Sequence, residues 1–260
     1  MKYSSFICLM LLFSSLSLYS QNRNLNSSTD IEALVDRFNE SKATKNRNGW
    51  FHYYIPKGMA DTLTVKMSCV FEGTQTHPPH IHNEDESFYV VKGPVRFHIN
   101  GVEKILNEGD FIYTPSGSSH NIQRINNDTI KYLVIKRESL SDIEVPYSVG
   151  NANYTFDDCY KINENYGQLQ FNEKTLLNKD FADGFQVTIN KINENELYSY
   201  KDSSQRQNAI YILQGKTQIK FNGKEAIINK DNTFYSPKGS SFILTNIGKE
   251  PLLFLSIITE

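Results

Sequence analysis

Between residues 76 and 86 the sequence reads Thr-His-Pro-Pro-His-Ile-His-Asn-Glu-Asp-Glu, a concentration of imidazole and carboxylate ahead of the strand-like run 87–92. Side chains alternate between faces in extended backbone, so His80 and His82 project to one side and Ile81 to the other. Glu86 follows a short loop and can return a carboxylate oxygen to the same point, and His120 is a fourth candidate downstream. Three neutral imidazoles and one carboxylate suit one divalent transition metal ion, and Fe, Mn, Co, Ni, Cu and Zn are all compatible with the set. Structural sites are usually closed tetrahedra, often with thiolate; a set without cysteine at a concave mouth keeps positions for water or substrate. Glu86 is then both a ligand and the candidate catalytic proton acceptor. His77 and His98 read as rim or hydrogen-bonding residues. Arg96, His98 and Arg124 are the candidate substrate contacts, an arginine being able to hold a carboxylate through two parallel hydrogen bonds.

These residues need strands to carry them. From Trp50 the pattern gives strands at 50–55, 62–71, 87–91, 95–99, 111–114 and 130–135, separated by turn signals such as Asn100-Gly101 and Glu108-Gly109-Asp110. Many short strands at close spacing argue for an all-β sandwich or barrel. Pro115-Ser116-Gly117 is turn chemistry that delivers His120 on the next strand. Ahead of the strands, Thr29-Asp30-Ile31-Glu32 has the form of a capping box, and Ile31, Leu34, Val35 and Phe38 follow at helical spacing, predicting one amphipathic helix over about 30–42.

Residues 89–137 laid on 211–259, an offset of 122, give fifteen identities without a gap, where chance gives roughly three. The identities are largely punctuation: Gly93 with Gly215, Asn100-Gly101 with Asn222-Gly223, and Pro115, Gly117, Ser118 and Ser119 with Pro237, Gly239, Ser240 and Ser241. Matching glycines and prolines imply matching turns, hence one fold built twice. The ligand candidates do not repeat, because His80, His82, Glu86 and His120 become Asp202, Ser204, Asn208 and Phe242. The expected organisation is a leader and helix over 21–49, a metal-binding domain over 50–150 and a second domain without the ligands over 151–260, joined between residues 138 and 157.

His80-x-His82-x3-Glu86-x6-Gly93 followed by Gly109-x5-Pro115-x-Gly117-x2-His120 resembles the two motifs of the cupin family. Two positions depart from the pattern: Gly73 lies one residue too far from His80, and Arg124 stands where an asparagine is usual. With the repeat, the resemblance covers nearly the whole chain beyond the leader and implies a bicupin. Its two tandem double-stranded β-helix (jelly-roll) barrels would carry one metal, in the first, held by His80, His82, Glu86 and His120. The layout is similar to quercetin 2,3-dioxygenases and less so to oxalate decarboxylases, whose two halves both carry metal. The resemblance leaves three readings open: an oxygenase of a small hydroxylated or enolisable substrate, a Lewis-acid isomerase or lyase of sugar acids such as unsaturated uronates, and a metal-dependent binder without turnover.

The chain has 260 residues and a formal net charge of -2, with no Lys/Arg cluster of the kind that nucleic acid or an anionic membrane surface requires. A small-molecule partner is expected, with association into a homo-oligomer through sheet faces or edges. Met1-Lys2 and the apolar run 6–18, too short to span a bilayer, predict a signal peptide over 1–20, hence a secreted or periplasmic protein without a lasting membrane anchor. Cys69 and Cys159 lie beyond it, and the sequence leaves open whether they pair.

Overall fold

The structure is a computed structural model that describes residues 24–137, 155–161, 172–202 and 205–260. The expected signal peptide, Ser204, and most of the stretch in which the two copies are expected to join lie outside the described residues. In chain order the first strands are β1 (Val35–Asp36), β2 (Thr44–Asn46), β3 (Gly49–Ile55), β4 (Leu63–Val70), β5 (Asp85–Lys92), β6 (Val95–Ile99), β7 (Val102–Leu106), β8 (Phe111–Thr114), β9 (His120–Arg124) and β10 (Ile130–Arg137). They are followed by β11 (Tyr160–Lys161), β12 (Glu173–Leu177), β13 (Gln186–Ile192), β14 (Leu197–Lys201), β15 (Gln207–Gln214), β16 (Lys216–Phe221), β17 (Lys224–Asn229), β18 (Thr233–Ser236), β19 (Ser241–Asn246) and β20 (Leu252–Thr259). The sheets β11-β8-β5-β10-β4-β3-β2 and β7-β6-β9 make the first jelly-roll barrel. The sheets β1-β18-β15-β20-β13-β12 and β14-β19-β16-β17 make the second.

The repeat is legible in the hydrogen-bond register. Glu86 faces Thr114 as Asn208 faces Ser236, and Ile99 faces His120 as Phe221 faces Phe242. The β5–β10 pairing shifts at Lys131/Tyr132, and the β15–β20 pairing shifts where Gln214 meets Leu253, the same place 122 residues on. Asn100 and Gly101 have φ of 47° and 87°, and Asn222 and Gly223 have φ of 49° and 75°. Positive φ at both central residues is the requirement of the type I′ turn that joins two twisted strands.

The expected helix over 30–42 is shorter than its apolar spacing suggested. Helix α1 is one turn, Ile31–Leu34, and Val35 is already extended, with φ -100° and ψ 128°. The apolar spacing is satisfied another way: Ile31 and Leu34 are buried from the turn, and Val35 and Asp36 pair with Phe234 and Thr233 at the edge of the second barrel. Phe38 then packs on Trp50, His52 and Tyr54. A paired edge strand satisfies backbone groups and covers a sheet edge, which a helix of this length in the same place would leave open. The exchange is mutual, because β11 adds to β8 of the first barrel.

Strand parity divides the apolar residues into two cores. Leu63, Val65, Met67, Leu133 and Ile135 join Val187, Ile189, Tyr211, Leu255 and Ile257 in the core between the large sheets of the two barrels. Val70, Phe88, Val90, Phe97, Ile122, Tyr132 and Val134 fill the inside of the first barrel. Cys69 faces the shared core and Cys159 the barrel interior; both are buried and free.

Candidate metal centre

The inward face of the first barrel's large sheet can be read from its register. Thr114, Glu86, Lys136 and Thr64 form one row across β8, β5, β10 and β4. Phe88, Val134, Lys66 and Tyr53 form the next, and Val90, Tyr132, Ser68 and Phe51 the third. His120 comes from β9 of the opposite sheet, and His80 and His82 come from the segment before β5 that is bridged to it. His80 and His120 exchange backbone hydrogen bonds, His80 N donating to His120 O at 3.1 Å and His120 N to His80 O at 3.0 Å. The turn after Pro115 is fastened to the same stretch, with Gly117 N donating to His82 O at 2.7 Å and Ser116 N to Asp85 Oδ1 at 3.0 Å.

His80, His82 and His120 present ring nitrogens that all lie within 4.8 Å of one another, and His82 belongs to a second such group with Glu84 and Glu86. Glu86 Oε2 is 2.9 Å from His120 Nε2, and Glu86 Oε1 is 3.4 Å from His82 Nε2. The expected ligands His80, His82, Glu86 and His120 are therefore brought to one place. Two ligand atoms at right angles on an ion, each about 2.1 Å from it, sit about 3.0 Å apart, so the Glu86–His120 separation suits a shared ion. His120 Nδ1 is 2.9 Å from Ser118 O and His80 Nδ1 is 3.2 Å from Pro78 O. A proton on each Nδ1 donated to these carbonyls leaves Nε2 as the ligating atom, the usual outer support of a metal-bound histidine.

The electrostatics favour the same use. Burial, then the neighbouring imidazoles of His120, His77 and His82, push His80 down to about 3. Burial also lowers His77 and His82, so these rings stay neutral and keep lone pairs for a cation. Glu86 is 2% exposed. Burial works against its charge, but the hydrogen bond and field of His120, then Lys136 and His82, hold it well below the usual carboxylate range. Burial lowers Lys136, yet Glu86 and Glu84 outweigh it and raise the ammonium above its ordinary value. Lys136 Nζ touches Glu86 Oε1 and is 3.2 Å from Glu84 Oε2, and the exposed Lys57 holds Glu84 Oε1 at 3.1 Å.

The ligands open on a cavity of about 620 Å³ whose wall includes Phe51, Phe88, Ile122 and Val134 beside Lys66, Ser68, Thr76, Tyr132 and Lys136. His77 stands on its rim, 4.0 Å from His80 between ring centroids. The expected substrate contacts lie elsewhere. Arg96 and His98 occupy outward positions of β6, where Arg96 Nε is 3.7 Å from Glu103 and His98 Nε2 accepts from Gly101 N at 3.0 Å. Arg124 is buried and donates to Gly73 O at 2.8 Å and Asp128 O at 2.9 Å. Asn246, its counterpart, donates to Glu250 O at 2.8 Å, so the arginine closes the same loop that asparagine closes in the second copy and also ties down the displaced Gly73.

Lys66, Lys136 and Tyr132 were not among the expected site residues. A signal was available, since at the offset of 122 they become Thr188, Ile258 and Phe254, so the two ammonium groups and the phenol hydroxyl are present only in the ligand-bearing copy. In the second barrel Phe242 takes the place of His120 and stacks on Tyr200 at 5.1 Å, with Phe234 at 5.2 Å.

Residues 67–136 match the Cupin domain family model. An oxalate-binding protein of Thermotoga maritima is 35% identical over 57 residues, 22% of this chain, and the match spans about half of that relative, 47% of its length. Among solved structures, oxalate decarboxylase of Bacillus subtilis, studied for its Mn(II) centres, superposes with a TM-score of 0.64 at 18% identity, covering 87% of this chain and 77% of the other. A single-site mutant of salicylate 1,2-dioxygenase from Pseudoaminobacter salicylatoxidans does so with a TM-score of 0.60 at 12% identity, covering 77% and 71%. Residues 67–136 are thus a cupin domain, and the chain as a whole has the bicupin fold.

Proposed function

We propose that the protein is a metal-dependent enzyme with one active centre, an oxygenase of a small hydroxylated or enolisable substrate, working at His80, His82, Glu86 and His120. The observation that carries this reading is that the ligand set opens on the 620 Å³ cavity instead of being closed by further side chains. A bound redox-active divalent ion would supply Lewis acidity and one-electron chemistry with dioxygen. The chain's own groups do the rest. Phe51, Phe88, Ile122 and Val134 exclude water and pack the apolar part of the substrate. Burial and nearby charge raise Tyr132 to about 12, although the hydroxyls of Thr76 and Ser68 bond to it, so it stays protonated and can donate to a substrate oxygen. Glu86, held anionic by His120 and Lys136, is the better ligand; it accepts a substrate proton only by releasing Lys136.

Non-redox Lewis-acid chemistry on an acid substrate, such as a sugar acid, is the second reading, favoured by the ammonium groups of Lys66 and Lys136 in the same cavity. The apolar run 6–18 further supports export to the periplasm or medium. Elemental analysis of the purified protein beside His80→Ala, followed by oxygen uptake with catechols and hydroxy acids, tests the proposal. One redox metal per chain, lost in the variant, with oxygen consumed, is the expected result. Product without oxygen uptake selects the second reading, and absence of metal after reconstitution overturns both.

A further inference from the structure

The row structure of the inward sheet face isolates one charged group. Lys66 and Lys136 are diagonal neighbours on adjacent strands, since Lys66 pairs with Val134 and Lys136 with Thr64. Such neighbours are close enough for their ammonium groups to feel each other. Their circumstances differ. Lys136 is engaged by Glu86 and Glu84. Lys66 makes no ion pair among the described residues, and its Nζ lies over the Tyr53 ring at 5.7 Å from the centroid. It lines the main cavity and also a smaller pocket of about 90 Å³, together with Tyr53, Lys57 and Glu84. Burial, then repulsion from Lys136, lowers its pKa although Glu86 attracts it, so the charge is held at a cost that a bound anion in contact would offset. In the second copy the position is Thr188, so the ammonium and the four ligands are confined to the same half.

We propose that Lys66 is the anion anchor of the cavity: it receives the carboxylate of a small acid substrate whose oxygen functions face the ligands His80, His82, Glu86 and His120. The inference rests on the reading of this cavity as the metal-dependent active centre and narrows its substrates to carboxylates. Ser68 and Tyr132, in the neighbouring row, flank the anchor with hydroxyls. Phe51, Phe88, Ile122 and Val134 line the same cavity and give the rest of the substrate apolar surroundings.

Salicylate and its uncharged counterpart salicylamide are suitable probes, because both present a phenol beside a carbonyl and differ in charge. Calorimetric titration of each into metal-loaded and chelator-stripped protein should show salicylate bound about ten- to a hundredfold tighter, the range of a charge-assisted hydrogen bond. Lys66→Met should remove that preference, Lys66→Arg should keep most of it, and metal content should be the same in all three proteins. Equal binding of salicylate to wild type and Lys66→Met, or equal binding of the two probes to wild type, overturns the anchor. A wild type without metal overturns the metal reading instead, and the comparison in stripped protein then decides the anchor by itself.

Discussion

Glu86 meets two demands that pull apart: it is buried, which disfavours charge, and it must be charged to bind a cation. The structure settles the conflict with His120 at 2.9 Å and Lys136 in direct contact. A divalent ion needs its imidazole and carboxylate ligands unprotonated, so metal binding should release protons as pH falls toward their range and tighten as pH rises. Calorimetry in buffers of different ionisation enthalpy measures that release. Removing a ligand should be decisive: Glu86→Gln or His120→Ala should lower metal affinity at least about 100-fold, while Arg96→Ala, which faces away, should leave it unchanged. The acid behaviour of the metal-free protein follows from the same groups. His77, His80 and His82 have lowered values in the fold, so the unfolded chain takes up protons first as pH falls below about 6.5. Glu84, despite burial, and Glu86 are held below ordinary carboxylates by their lysine and histidine partners, and their stabilisation is lost as pH falls through their folded values. Both effects have one sign, and the melting temperature of metal-free protein should fall steadily from about pH 7 to about pH 4.

Among the elements, the β3–β4 hairpin supplies Phe51, Lys66 and Ser68 to the cavity and depends on close backbone approach at its start. A Cβ on Gly49 would lie 1.9 Å from the Cys69 carbonyl oxygen, a backbone atom that cannot step aside. Gly49→Ala should therefore cost at least the upper end of the about 1–3 kcal/mol typical of overpacking, read from urea denaturation. Gly101→Ala meets nothing within 4 Å but sits at φ +87°. It should cost only the about 1–2 kcal/mol of a left-handed backbone without glycine. The two substitutions look alike in sequence and differ because one site is crowded and the other only strained. The expected helix shrank to one turn for a related reason: Ile31, Leu34 and Val35 needed burial, and spacing alone could not say whether a long helix or a single turn followed by an edge strand would provide it.

At the scale of the molecule, the two barrels share a core and exchange edge strands, so neither is an independent unit. A chain ending at residue 137 would expose Leu63, Val65, Met67, Leu133 and Ile135, all buried against the second barrel. Burying a side chain of this size contributes about 1.5–3 kcal/mol, and losing several together exceeds the margin of a typical domain. Expressed alone, residues 24–137 should be insoluble or melt without cooperativity, which circular dichroism and light scattering would show. This explains what a copy without the histidine ligands does for the one that has them: it covers the back of the sheet whose front carries Glu86, Lys136 and Lys66.

Much was fixed by local chemistry. The two-residue spacing keeps His80 and His82 together, the Pro115–Gly117 turn places His120, and repeated glycines and asparagines announce the same turns twice, because each constraint acts within a few residues. The clustering of the candidate ligands and the double barrel were legible for that reason. What the sequence could not assign was which face a lone charged side chain takes and which sheet an edge strand joins. Arg96 and Lys66 both stand in alternating strands, yet one points to solvent and the other into the cavity. Arg124 has the chemistry of a substrate clamp and instead closes a loop. Those outcomes depend on pairing between strands tens of residues apart, and only the folded sheet sets that register.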